Sequence, residues 1–191
     1  RAQQNVNMLD EAMKRSAWAL RADADEYIAN LLKDAVPTGN TIGTVGTPVV
    51  PTKANAYEHL VDLSVLLDEA NAPIDGRYVV VPAWFHGLLL KDDRFITSGM
   101  HGFESSLANG EVGRAAGFTI LKSNNVPHTA NQKFRIVAGH AIATAYVDQV
   151  LDVQAYKPEK RFGDAVKGLH VYGAKVVKPQ ALACLIADKP S

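Results

Sequence analysis

A single cysteine, Cys184, is all that the 191-residue chain carries, so no intrachain disulfide can staple it. Charge of one sign is missing too: 20 Lys and Arg balance 20 Asp and Glu, for a formal net charge of zero. That removes the strong basic excess by which most nucleic-acid binders are recognised. Only a surface that meets DNA weakly and non-specifically stays compatible. No apolar run approaches the length of a membrane span, and no signal peptide opens the chain, so no membrane partner is expected. The chain begins on Arg1 rather than methionine and enters helical sequence at once, which reads as a fragment or a processed product with something lost before Arg1.

Catalytic constellations are equally scarce. Cys184 sits in the apolar run Ala181-Leu182-Ala183-Cys184-Leu185-Ile186 and reads as a buried, inert thiol rather than a nucleophile. The six histidines, His59, His86, His101, His128, His140 and His170, show no metal-ligand spacing with a third ligand nearby. Asp92-Asp93 could hold a divalent metal, but a helix end with two solvated carboxylates is the plainer reading. Ser105-Ser106 has no nucleophile elbow around it, and Glu111 and Asp164 cannot be placed as an acid/base pair. The glycines of Gly39-Asn-Thr-Ile-Gly43-Thr-Val-Gly46 are not followed by the lysine of a phosphate loop. No catalytic residue, metal or cofactor is therefore expected.

What is present is a 47% hydrophobic composition, enough for a real core. Val6, Leu9, Met13, Ala17, Leu20, Ala24, Tyr27, Ile28 and Leu31 recur at three- and four-residue steps and predict one helix over 2–34. Such a helix spans about 50 Å, more than a compact domain of this size needs. It reads as a strut lying on a sheet. Residues 37–53, rich in Pro, Gly and Thr, read as a linker or mobile loop. A second helix follows over 54–71, then a turn at Asp75-Gly76, a buried strand at 78–81 and a short helix around Trp84 and Phe85. Residues 97–116 read as a long, mobile surface loop. Strands are expected at 118–121 and 134–137, while 142–150 is ambiguous. Leu151, Val153 and Ala155 alternate with Asp152, Gln154 and Tyr156, a strand period, and a partner strand runs from about 169 to 177. Between them lies a charged tip. Such a two-stranded ribbon is marginal alone and needs the long helix or a neighbouring subunit to cover it. A last apolar strand is expected at 182–186.

Several segments carry a resemblance. Val61-Asp-Leu-Ser-Val-Leu-Leu-Asp-Glu-Ala-Asn71 followed by Gly76-Arg-Tyr-Val-Val-Val-Pro-Ala-Trp-Phe85 resembles the core of tailed-phage major capsid proteins. So do Leu88-Leu-Leu-Lys-Asp-Asp-Arg-Phe95 and Gly110-Glu-Val-Gly-Arg-Ala-Ala-Gly-Phe118 with Ser123-Asn-Asn-Val-Pro127. The run from Ala155 to Val177 is the most telling. No one motif is diagnostic, but together they span most of residues 55–187 in the right order.

The resemblance implies an α+β chain of the Hong Kong ninety-seven-type capsid fold, with a long spine helix, a peripheral β element and an axial domain. Residues 1–53 would be the spine helix and linker of the peripheral domain, 54–149 the axial domain, 150–178 the peripheral β element, and 179–191 a strand returning to the axial domain. The family's N-terminal arm and extended loop have no counterpart here. The implied function is that of a non-enzymatic shell subunit, a virion component assembled in the host cytoplasm. It would form pentamers and hexamers of itself that close into an icosahedral head around double-stranded DNA. Scaffold, portal and decoration proteins are further candidate partners, with non-specific contact to packaged DNA at the inner face. An encapsulin-type cargo shell is the alternative on the same fold, and a small α/β enzyme is the rival from another class. The candidate interface is the charged tip, where Lys157, Glu159, Lys160, Arg161, Phe162, Asp164 and Lys167 crowd together. A solvated turn is the plainer reading of those charges; the family's use of this element to reach neighbouring capsomers favours an interface.

Overall fold

The structure is a computed structural model that describes residues 7–92, 111–130, 132–160 and 165–190. It divides into two compact units, one formed by Arg1–Ile28 with Tyr146–Ala174, the other by Ala29–Ala145 with Lys175–Ser191. Among the described residues no helix is long and apolar enough to cross a membrane.

The larger unit is built on a six-stranded mixed sheet. Its strands are β1 (Thr41–Ile42), β2 (Arg77–Val81), β3 (Glu111–Ala115), β4 (Phe118–Lys122), β5 (Phe134–His140) and β8 (Leu182–Ala187), in the spatial order β1-β8-β5-β2-β4-β3. Helices α2 (Ala56–Glu69) and α3 (Ala83–Leu89) belong to the same unit. Every residue of β8 is buried, the mark of a central strand with both faces covered. It pairs antiparallel with β5, Val137 opposite Cys184. Next to β5 lies β2, antiparallel with Tyr78 opposite Gly139, and β2 runs parallel to β4 with Tyr78 opposite Thr119. Helix α2 buries Ala56, Leu60, Leu63 and Leu67, an apolar stripe at helical spacing. It ends where Asn71 takes φ 54°, a left-handed conformation that asparagine tolerates better than most residues. A buried arginine then closes the turn into β2. The Arg77 Nε donates to the Pro73 carbonyl at 2.8 Å, and its Nη2 donates to the Ala72 carbonyl at 2.7 Å and pairs with Asp68 at 2.7 Å.

The β5–β8 pairing demands a small residue at Gly139. A Cβ there would stand 2.6 Å from Leu182 Cδ2 and 3.0 Å from the Ala181 carbonyl oxygen. The leucine tip can move but the backbone carbonyl cannot move far. Gly139→Val is expected to lower the urea midpoint by an amount equivalent to about 1–3 kcal/mol, the usual cost of overpacking. Gly173→Val is the control, since a Cβ at Gly173 meets nothing within 4 Å.

Most expected elements of this unit stand within a few residues of their observed bounds, and three expectations are corrected. Residues 37–53 are not simply a linker. Thr38–Asn40 form a turn of 3-10 helix, and β1 pairs parallel with β8. The Val49 amide donates to the Ile186 carbonyl at 2.9 Å, and the Asp188 amide donates to the Val49 carbonyl at 2.7 Å. The Asn40 side-chain amide donates to the carbonyls of Gln180 and Leu182. The cause is non-local: the outer edge of buried β8 needs partners for its backbone groups. The second correction falls on the loop expected over 97–116. Residues 97–110 lie outside the described residues, and Glu111–Ala115 form β3, hydrogen-bonded to β4 with Ala115 opposite Phe118. The turn that joins them places Ala116 at φ 50° and Gly117 at φ 81°, the two-residue geometry that matches strand twist. The third concerns Asp92, which is buried rather than solvated; Asp93 lies outside the described residues. The ambiguous stretch resolves into a 3-10 turn, Ala141–Ala143, leading into a strand, β6 (Thr144–Tyr156).

The smaller unit holds the first part of α1 (Asn7–Ala35) and most of a two-stranded sheet of β6 (Thr144–Tyr156) and β7 (Ala165–Val176). Helix α1 is described from Asn7; its expected start at residue 2 lies outside the described residues. Within this unit the helix packs on the ribbon. Tyr27 meets Tyr172 edge-on with ring centroids 5.6 Å apart, and Ala24 is buried. Its covering by the long helix supplies what a two-stranded ribbon lacks by itself.

Candidate functional site: the β-ribbon and its tip

Strand alternation sorts the ribbon into two faces. One face carries Asp148 on β6 with His170 and Tyr172 on β7. The His170 side chain is only 7% exposed, and its Nε2 lies 2.7 Å from Asp148 Oδ1. Its ring stands 5.0 Å from that of Tyr172. Nδ1 of His170 is buried without a hydrogen-bond partner. The opposite face carries Val147, Leu169 and Val171, all exposed. Sequence alternation showed two faces but could not show which one the helix covers.

Toward the tip, Lys157, Glu159 and Lys160 are solvent-exposed. Lys167 is exposed as well, and its Nζ sits 5.6 Å from the centroid of the Tyr156 ring, within cation–π reach. Arg161, Phe162 and Asp164 lie outside the described residues. The structure thus brings Lys167 back onto β6 and leaves Lys157, Glu159 and Lys160 facing solvent. Among the described residues this end of the ribbon holds three cations and one anion, Glu159. It can orient a partner of complementary charge.

Elsewhere the reactive side chains are subdued by burial. The Cys184 thiol is pushed up from its ordinary 9.0 to about 12 by burial, against a smaller lowering by Arg135. His86 is held below the ordinary histidine value by burial and then by the Lys122 charge. Among the described residues no group of His, Cys, Asp and Glu is arranged to hold a metal ion. For Cys184 the sign is clear. Burial favours the neutral thiol, so its stabilisation is complete below about pH 9 and is lost as pH rises toward about 12. At pH 8 a water-soluble thiol reagent is expected to label native Cys184 only through global unfolding. Labelling should track the urea transition; rapid stoichiometric labelling without denaturant would contradict it.

One unit with a six-stranded mixed sheet and two helices, and another with a long helix laid on a two-stranded ribbon, define the class: this is the Hong Kong ninety-seven-type capsid fold. A family model described as "Phage capsid protein" matches residues 1–185, and the chain belongs to that family. A solved structure from Mycobacterium phage Che8 is 32% identical with a TM-score of 0.70, and the match covers 92% of this chain and 62% of that one. The capsid of the cyanophage P-SCSP1u is similar at 20% identity and TM-score 0.67, covering 95% of this chain and 69% of that one. The SrpI encapsulin of Synechococcus elongatus PCC 7942 shares the fold at 15% identity and TM-score 0.64, covering 94% and 66%. This chain spans less than two thirds of the length of the Che8 chain. No curated protein sequence matches it.

Proposed function

We propose that the chain is the greater part of a major capsid protein, a virion subunit that assembles with copies of itself into the icosahedral head of a tailed phage. The observation that carries this reading is the match of the phage capsid family across residues 1–185. Its work is done by contacts rather than catalysis. Each contact between copies can be weak, because closure into pentamers, hexamers and a shell multiplies it. Double-stranded DNA is the cargo, met non-specifically at the inner face, as a chain of zero formal net charge allows. Scaffold, portal and decoration proteins complete the partner set.

In this reading residues 1–53 are the spine helix and its linker, 54–149 the axial domain, 150–178 the peripheral β element and 179–191 the strand returning to the axial domain. The grouping of Arg1–Ile28 with Tyr146–Ala174 in one compact unit supports that division. The encapsulin alternative is less favoured, since the encapsulin similarity is one of fold at 15% identity. Electron microscopy of the purified full-length product tests the proposal. Closed shells, filled with DNA in particles from infected cells, are expected. Discrete monomers at every protein concentration would overturn it, and shells that carry a protein cargo would move the reading to the encapsulin class.

A further inference from the structure

Trp18 stands on α1 with 73% of its surface in solvent, the most exposed large apolar side chain among the described residues. Lys14, Arg21 and Asp25 on the same helix are exposed as well. The four follow one another at steps of four, three and four residues, the spacing of a seam along one side of a helix. At roughly 3.6 residues per turn they lie within about 60° of arc, about a quarter turn from buried Ala24. No ion pair between described residues engages Lys14, Arg21 or Asp25. Beside the seam, by contrast, Arg15 is already paired with Glu11. The Asp25 charge falls on another acid instead: the Tyr146 hydroxyl on β6 is held above the ordinary tyrosine value by desolvation and then by the charges of Asp148 and Asp25. All of these residues belong to one compact unit.

The order of side chains along the seam selects what covers it: cation, indole, cation, anion. A second copy of α1 laid parallel would set Lys14 on Lys14 and Arg21 on Arg21, which repel. Laid antiparallel about an axis midway between Trp18 and Arg21, it sets Lys14 on Asp25 and Trp18 on Arg21, each twice. Ammonium against carboxylate is attractive, and a guanidinium stacks well on an indole face. Glu11 and Arg15 then come level with Ile28 and Ala24 of the other copy, so no like charges meet.

We infer that α1 of one copy pairs antiparallel with α1 of a second copy across a two-fold axis, through Lys14, Trp18, Arg21 and Asp25. This rests on the shell reading above and names one contact between copies within the shell. The same patch serves on both sides, as a two-fold contact requires. From Lys14 to Asp25 the seam is about 16 Å long. That is too short to bury the roughly 1,200–2,000 Å² of a stable interface. The contact therefore forms where the rest of a shell holds the two helices together, and free subunits do not dimerise through it.

Cross-linking in shells of the full-length protein tests it. Lys14→Cys and Asp25→Cys are introduced singly and together, and shells are treated with a bifunctional maleimide. Buried Cys184 does not compete. The double variant is expected to give covalent dimers. Each single variant is expected to give none with a reagent shorter than about 16 Å, because like positions stand at least that far apart across the axis. Charge reversal is the second reading. Lys14→Asp or Asp25→Lys alone is expected to melt as the parent does and to lower shell yield at least about tenfold; the two combined should restore it. Should a reversal disturb melting, the cross-link reads the contact by itself. No dimers from the double variant in shells of normal yield, or equal dimers from the single variants, would overturn the contact and leave the shell reading intact. Normal shells from both single reversals would do the same. Loss with Lys14→Asp but not with Asp25→Lys would also overturn it and give the seam to an anionic partner such as packaged DNA. A parent that forms no shells would remove the shell reading and the contact together.

Discussion

Arg77→Ala is expected to cost about 3 kcal/mol of folding stability, a large share of what a domain possesses. The Arg77 side chain is 2% exposed, whereas its partner Asp68 is 54% exposed. That asymmetry decides where the energy lies. A pair with one member in solvent is screened and contributes little by itself. The carbonyls of Ala72 and Pro73 are different, because Arg77 is the donor that meets them where α2 gives way to β2. The same guanidinium reaches the Ser64 carbonyl and hydroxyl, each at 3.4 Å. Removing it strands the buried Ala72 carbonyl and takes the donor from the part-buried Pro73 carbonyl, and each unsatisfied buried group costs about 1–3 kcal/mol. Arg77→Lys should recover less than half of the loss, since a single ammonium cannot occupy the forked positions. Asp68→Asn should cost under about 1 kcal/mol. Urea unfolding monitored by circular dichroism reads all three. Equal losses for Asp68→Asn and Arg77→Ala would show that the ion pair, not the carbonyl cradle, holds the turn.

Nothing in the sequence around Arg77 announced this role. An arginine before an apolar strand looks like a surface charge, and only the fold shows it turned inward beneath the end of α2. Elements with strong internal periodicity were legible. The apolar positions Tyr57, Leu60, Val61, Val65 and Leu67 marked α2, although Val61 and Val65 turn out exposed, and the apolar run Leu182–Ile186 marked β8. Elements that exist because of a distant partner were not. Strand β1 is two residues long and is a strand only because β8 lies beside it. Strand β3 hid among glycines because its pairing depends on the turn at Ala116 and Gly117. Asp92 looked solvated because the sequence does not show what packs over the end of α3. The ribbon was legible from its alternation, but the choice of covered face was not, since Val147, Leu169 and Val171 are as apolar as many core residues.

Arg161→Glu at the ribbon tip is expected to leave the subunit folded and to block or misdirect assembly, and Asp164→Lys is expected to do the same. The flanking residues Lys157, Glu159 and Lys160 are exposed, and Lys167 rests near Tyr156. None of these four described positions is a core residue. Two effects then compete. If the tip were only a solvated turn, its charges would contribute about 0–1 kcal/mol and a reversal would pass unnoticed. If the tip meets another copy, a reversal places like charges together at a desolvated contact, which costs several kcal/mol and is repeated at every equivalent contact in a shell. The second effect is large enough for the experiment to separate the two readings. Circular dichroism and melting read the fold, while sedimentation and electron microscopy read assembly. Combining Arg161→Glu with Asp164→Lys should restore assembly if those two side chains face each other between copies. Normal shells from both single variants, at normal yield and salt sensitivity, would make the tip a solvated turn and remove Lys157, Glu159, Lys160, Arg161, Phe162, Asp164 and Lys167 from the proposed interface.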